Sequence, residues 1–142
     1  LSTKITKRLK KGETLFDNRF AQNGAEDAYL FACLYKEGFK MVWADDAVLY
    51  EPVAEQRLSL QWILKRGFWS WSVHSFIESE LYPSLKIRAI RAIKGCALIG
   101  LGIVGAGPSL LLGKAKVARS LLRIYRGMGT LSGLLGRQGS WQ

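Results

Sequence analysis

Several different rhythms of apolar and polar residues follow one another along this chain. Residues 1–11 are polar and basic, interrupted only by Leu1, Ile5 and Leu9. Over residues 28–37, Tyr29, Leu30, Cys33 and Leu34 recur three and four apart, which predicts a helix with one apolar stripe. Gly38 follows as its natural C-cap. Residues 39–43 and 47–50 are short apolar runs about Asp45-Asp46; they predict two strands joined by a charged turn, with Pro52 ending the second. Residues 58–78 lack proline and carry Trp62, Trp69 and Trp71, predicting a second helix with Gly67 as its weak point. Pro83 separates this helix from the tail.

The tail has two parts. Residues 95–113 contain no charge and lie between Lys94 and Lys114. Nineteen helical residues reach roughly 28 Å, close to the hydrocarbon thickness of a bilayer. Eight large apolar residues there contribute roughly −2 to −5 kcal/mol to insertion, and six glycines and Pro108 dilute the run. Over residues 117–135, Arg119, Arg123 and Arg126 share one helical face, while Leu121, Ile124, Tyr125, Met128 and Leu135 share the opposite one. That is the pattern of a helix lying in a membrane interface.

Charge sharpens this division. The 142 residues carry a net charge of +10. Residues 1–80 hold eleven Lys/Arg against eleven Asp/Glu, whereas residues 81–142 hold ten Lys/Arg and no acid. The whole excess is interleaved with the most apolar sequence, which points to an anionic membrane surface. A nucleic-acid binder would set its cations among aromatic platforms in a polar context, so no nucleic-acid partner is expected. Cys33 and Cys96 fit no metal or redox spacing and are expected as reduced, half-buried thiols. His74, the one histidine, stands among Trp71, Phe76 and Ile77 and reads as a structural histidine. The segment before residue 12 is too polar for a signal-peptide core.

Ahead of the first helix, residues 15–20 (Leu-Phe-Asp-Asn-Arg-Phe) put two aromatics on a turn-rich piece that packs on a core. Gly24 and Ala25 then allow close backbone approach, and Glu26 and Asp27 occupy the first helical turn. Unpaired amide groups favour carboxylates there, at about 0.3–1 kcal/mol each. Further on come Glu51 at a strand end, then Arg57, Trp62 and Arg66. On a helix Trp62 and Arg66 are i, i+4 and share a face, so a guanidinium can lie on the indole.

The order Gly24-Ala25-Glu26-Asp27, helix, Gly38, strand pair, Arg57, Trp62 and Arg66 resembles the C-terminal part of the catalytic domain of family 2 glycosyltransferases, especially those of bacterial succinoglycan-type exopolysaccharide synthesis. The resemblance covers residues 15–66 and, more loosely, the tail. Gln61-Trp62 and Lys65-Arg66 stand where the family often carries Gln-x-x-Arg-Trp, a partial match. Nothing in the chain corresponds to the family's nucleotide-binding N-terminal half, and Asp45-Asp46 is not its upstream metal-binding Asp-x-Asp. In the family, residues 1–11 would hold a strand and turn.

The resemblance implies an α/β fragment, predominantly helical: the C-terminal portion of a GT-A-like nucleotide-sugar transferase domain over residues 1–82, followed by a basic, membrane-associated helical tail over residues 83–142. It implies an inverting transfer of a sugar from a nucleotide-sugar donor to a lipid-linked saccharide acceptor, at the cytoplasmic face of a bacterial inner membrane. Asp27 would be the catalytic base with Glu26 supporting it, and Arg57, Trp62 and Arg66 would bind substrate. Glu51 lies where some relatives contact metal or substrate. No metal is assigned to residues of this chain; a divalent cofactor, Mg or Mn, is expected for the complete parent enzyme. A separate N-terminal nucleotide-binding chain is the partner that would complete it, and alone the chain is expected to be inactive. The contrasting expectation is a non-catalytic membrane-surface protein. For residues 95–113 both a span and a re-entrant hairpin broken at 105–108 are open, the glycines and Pro108 favouring the hairpin.

Overall fold

A computed structural model describes residues 15–20 and 24–137, with the side chains of residues 109–112 left aside. The reading of residues 1–11 lies outside the described residues. Among the described residues four α-helices predominate: α1 (Glu26–Lys36), α2 (Leu60–Leu81), α3 (Leu85–Leu112) and α4 (Lys114–Leu134). They fall into two compact units, one ending at Met41 and the other beginning at Val42.

The first unit is organised by α1. Its C-terminus closes as the glycine predicts: Gly38, at φ +85°, donates to the Tyr35 carbonyl and Phe39 donates to that of Leu34. This paired arrangement satisfies carbonyls that the helix would otherwise leave open. Leu34 is buried on the apolar stripe, and Phe20, in a short 3-10 turn (Asn18–Phe20), is fully buried. Of the two aromatics in residues 15–20, Phe20 therefore packs on a core, whereas Phe16 is exposed.

The expected strand pair does not form: the described residues contain no strand. Residues 39–54 form neither helix nor strand, with a turn at Asp45-Asp46 where Ala47 donates to the Ala44 carbonyl. The charged turn is thus present without its ladder. Val42, Trp43, Leu49 and Tyr50 are 87–90% exposed. A lone two-stranded ribbon is marginal in water, because it needs a third strand or a helix to cover one face. Here neither element is supplied.

In the second unit Ser59 caps α2, its Oγ accepting from the Trp62 N–H at 3.2 Å. Gly67 does not weaken the helix; α2 continues through it to Leu81. α2, α3 and α4 form a single layer with α4 in the middle, parallel to α2 and antiparallel to α3. Toward α3, α4 presents Ser120, Ile124, Gly127 and Leu131. Toward α2 it presents Leu122, Arg126, Gly129 and Gly133. The backbones come so close that a Cβ on Gly129 would strike the Phe68 carbonyl, and one on Gly133 that of Ser72. Polar groups tie the ends: Ser72 Oγ donates to the Arg137 carbonyl at 2.8 Å, and Arg88 of α3 donates to the Leu134 carbonyl at 3.1 Å. Glu78 of α2 pairs with Arg91 of α3 across the turn that contains Pro83.

Helix α4 lies between α2 and α3 and packs on both through its small residues. One expectation about the tail changes. The hairpin turns at Gly113, not at residues 105–108. Pro108 leaves the Val104 carbonyl without its helical donor, yet the helix continues through it to Leu112. Reversing the chain requires a positive φ, which Gly113 supplies at +100°.

Candidate functional site

Glu26 and Asp27 occupy the first turn of α1, entered from Gly24 at φ +60° and the buried Ala25. Adjacent positions on a helix point about 100° apart, and the two carboxylates differ accordingly. Asp27 is exposed, with Oδ1 accepting from the Ala28 N–H at 2.6 Å. Glu26 is half-buried, and its Oε2 is enclosed with no hydrogen-bond partner. One acid is therefore open to a reactant while the other is held against the protein.

Beneath this turn lies a cluster that the sequence did not single out. Phe20 stacks on Tyr29 with ring centroids 4.6 Å apart. The Arg19 guanidinium lies 5.6 Å from the Phe20 ring and 5.7 Å from the Tyr29 ring. It also grips Asp17 in a 2.7 Å ion pair. Hydrogen bonds from the Arg19 guanidinium, and then from its backbone N–H, hold the Asp17 carboxyl below its ordinary 3.8. The Asp-x-Arg spacing ahead of an aromatic was the available signal.

In the second unit, Arg57 lies in a 3-10 turn (Glu55–Leu58) just before α2. Its Nη1 pairs with Glu51 Oε1 at 3.0 Å, and its guanidinium stands 6.0 Å from the centre of the Trp62 ring. Arg66 follows Trp62 by one turn on α2 and is exposed. The structure therefore gathers Arg57 and Trp62 with Glu51. An exposed ion pair contributes about 0–1 kcal/mol, so Arg57 is held lightly enough to exchange its carboxylate for another anion. Arg57, Trp62 and Arg66 belong to the second unit and the acidic pair to the first.

Among the described residues, no group of three or more His, Cys, Asp or Glu stands where it could hold a metal ion. His74 is exposed, not enclosed in a core; its neighbours Val73, Ser75 and Ile77 are the buried ones. Cys33 is half-buried as expected, whereas Cys96 is exposed on α3; both are free thiols. On the third cationic feature, α4, Arg126 lies over Trp71 at 5.7 Å with its Nε buried and unpartnered. By length and composition, α3 is the described helix that could cross a membrane, over Leu85–Pro108.

No protein-family model matches the chain, and no solved structure matches it. Among curated proteins it is similar to the succinoglycan biosynthesis protein ExoM of Rhizobium meliloti (strain 1021), with 31% identity over 124 residues. The alignment takes in 85% of this chain and 38% of that protein, so the chain spans well under half of the relative's length. The chain is thereby related to a protein of exopolysaccharide biosynthesis.

Proposed function

We propose that this chain is the acceptor-side and membrane-side part of an inverting family 2 glycosyltransferase that acts in bacterial polysaccharide synthesis. The observation that carries the reading is the likeness to a succinoglycan biosynthesis protein along 85% of the chain. That likeness is joined to an exposed carboxylate, Asp27, at the start of a helix. In this reading Asp27 takes the proton from an acceptor hydroxyl as its oxygen bonds to the anomeric carbon. The bond from that carbon to the nucleotide diphosphate breaks at the same time, and its electron pair leaves with the diphosphate. Glu26 positions the helix start and the acceptor. Arg57 and Arg66 meet phosphate oxygens, to which the planar guanidinium is suited, and Trp62 supports Arg57 from one side.

A divalent metal would neutralise the diphosphate in the complete enzyme. The described residues do not fit such a centre, so the chemistry assigned to them is proton transfer and charge contact. The exposed run Val42, Trp43, Leu49 and Tyr50 supports the view that this chain works inside a larger assembly, since such a run is covered in a finished domain. The nucleotide-binding part of the donor site belongs to that remainder, with Arg57 and Arg66 reaching the diphosphate from this chain. The chain attaches to an anionic membrane through α3 and α4, at the cytoplasmic face where nucleotide sugars are found.

The test is reconstitution. The chain alone, purified in mild detergent, should release no nucleotide from a panel of nucleotide sugars and lipid-linked acceptors. The same chain joined to or mixed with an N-terminal nucleotide-binding half should do so. Turnover by the isolated chain would overturn the division of labour. No turnover by a joined protein that binds nucleotide sugar normally would overturn the transferase reading.

A further inference from the structure

The register between α3 and α4 decides how the hairpin can meet a bilayer. The charge-free run, residues 95–113, has its middle near residue 104. There Gly102 faces Ser120 and Ile124 of α4, and a Cβ on Gly105 would lie 3.8 Å from Arg123 Nη1. Arg119 and Arg123, both exposed, therefore stand level with the centre of the run, and Arg126 follows within a turn. Beginning the span at Leu85 does not help, because it draws in Lys86, Arg88, Arg91 and Lys94.

An upright hairpin thus places several guanidiniums at mid-bilayer in either frame. Each exposed one lowers insertion by roughly a hundredfold, and Arg119 and Arg123 together by about ten-thousandfold. The eight large apolar residues of the run return at most several thousandfold, roughly, on the same scale. Burial, the long basic side chain's usual escape, is not provided: Arg119 and Arg123 are exposed.

A flat placement fits the same facts. Two faces of α4 are used for packing. The two that remain are a basic one, with Lys116, Arg119 and Arg123, and an apolar one, with Val117, Leu121, Tyr125 and Met128. Beside them α3 leaves Leu101, Ile103 and Val104 59–75% exposed. No acid follows Glu80 in the chain, so this stretch brings no countercharge of its own for the basic row.

Resting on the membrane attachment in the function proposed above, we infer that the α3–α4 hairpin lies parallel to the membrane plane in a single anionic leaflet. The exposed edge of α3 and the Leu121–Tyr125–Met128 face enter the headgroup–acyl boundary, about 5–10 Å deep. Arg119 and Arg123 meet lipid phosphates from the same leaflet.

The experiment uses the full chain with Cys33→Ser and Cys96→Ser and a single Ile103→Cys carrying an environment-sensitive fluorophore. It is bound to vesicles of phosphatidylcholine with one part in four phosphatidylglycerol. Quenchers placed shallow on the acyl chain should quench the label at least twofold more than quenchers placed near its end. Stronger quenching from the deep position would overturn the flat placement while leaving membrane attachment standing. Failure to float with the vesicles would overturn both. Arg119→Gln with Arg123→Gln should lower partition onto these vesicles about thirtyfold and leave binding to pure phosphatidylcholine unchanged. The corresponding Lys variants should retain binding, which separates charge from misfolding. Equal partition of the Gln variant and the wild type would overturn the phosphate contact. None of these readouts involves turnover, so failure of the transferase reading leaves them independent.

Discussion

Replacing Gly129 by alanine probes one of the two closest helix–helix contacts in the second unit. The new methyl would meet the Phe68 carbonyl of α2, which is backbone and cannot rotate aside. Helices α2 and α4 must therefore separate along a seam that buries Ser72, Ser75 and Thr130 to 4% exposure or less. Overpacking of this kind costs about 1–3 kcal/mol, and the loosened seam also weakens the neighbouring contact at Gly133. Alanine's better helix propensity returns about 1 kcal/mol. The net expectation is a loss of up to about 2 kcal/mol, or a fall in Tm of up to roughly 15 °C for a unit of this size. Gly100→Ala is the matched control: it is exposed on α3 and a Cβ there meets nothing within 4 Å. The same propensity term alone should raise its stability by about 0.5–1 kcal/mol. Thermal unfolding followed by circular dichroism in one detergent compares the three proteins. A Gly129→Ala protein as stable as Gly100→Ala would refute the close-packed α2–α4 seam.

Three further outcomes follow from local geometry. Gly113→Ala forces a Cβ onto a residue at φ +100° and should cost about 1–2 kcal/mol, read in the same unfolding assay. The Asp17 carboxyl, followed by NMR, should titrate below 3.8 and move back toward it in Arg19→Gln. Because its folded value is the lower one, its contribution to stability is complete above 3.8 and is lost as pH falls through the lowered value. In a reconstituted transferase, Arg57→Gln should raise KM for the nucleotide sugar several-fold, as removal of one exposed cation–phosphate contact implies; an unchanged KM would remove Arg57 from the donor side.

Much of the helical layout was legible because it rests on local signals. The apolar stripe of α1, the closure at Gly38 and the long tryptophan-bearing α2 all depend on residues within a turn or two of one another. The strand pair was misread for the opposite reason. Residues 39–50 have strand composition, but a strand is completed only by a partner, and none is among the described residues. The hairpin was misplaced because Pro108 is the more conspicuous breaker, whereas the positive φ that reverses the chain falls on Gly113. In α4 the alternation of Arg and Leu was visible, yet Gly127, Gly129, Thr130 and Gly133 were the residues that decided its packing. Small residues carry little weight in a hydrophobic pattern and much in a close helix contact. Of the candidate site, the order of the acidic pair, Arg57, Trp62 and Arg66 was legible; spacing paired Trp62 with Arg66, and the structure sets the Arg57 guanidinium near the Trp62 ring as well. The Glu51 and Arg19 ion pairs were not, because each depends on how an irregular segment bends.

The central claim is that Asp27 is the acceptor-side base, and Asp27→Asn tests it most directly. In the protein completed with its nucleotide-binding half, nucleotide-sugar affinity and turnover are measured together on wild type and variant. The substitution keeps the shape of the side chain and removes its ability to take a proton. Affinity should stay within about threefold while kcat falls by about 10²–10⁴-fold. Retention of kcat within tenfold of wild type would contradict the assignment.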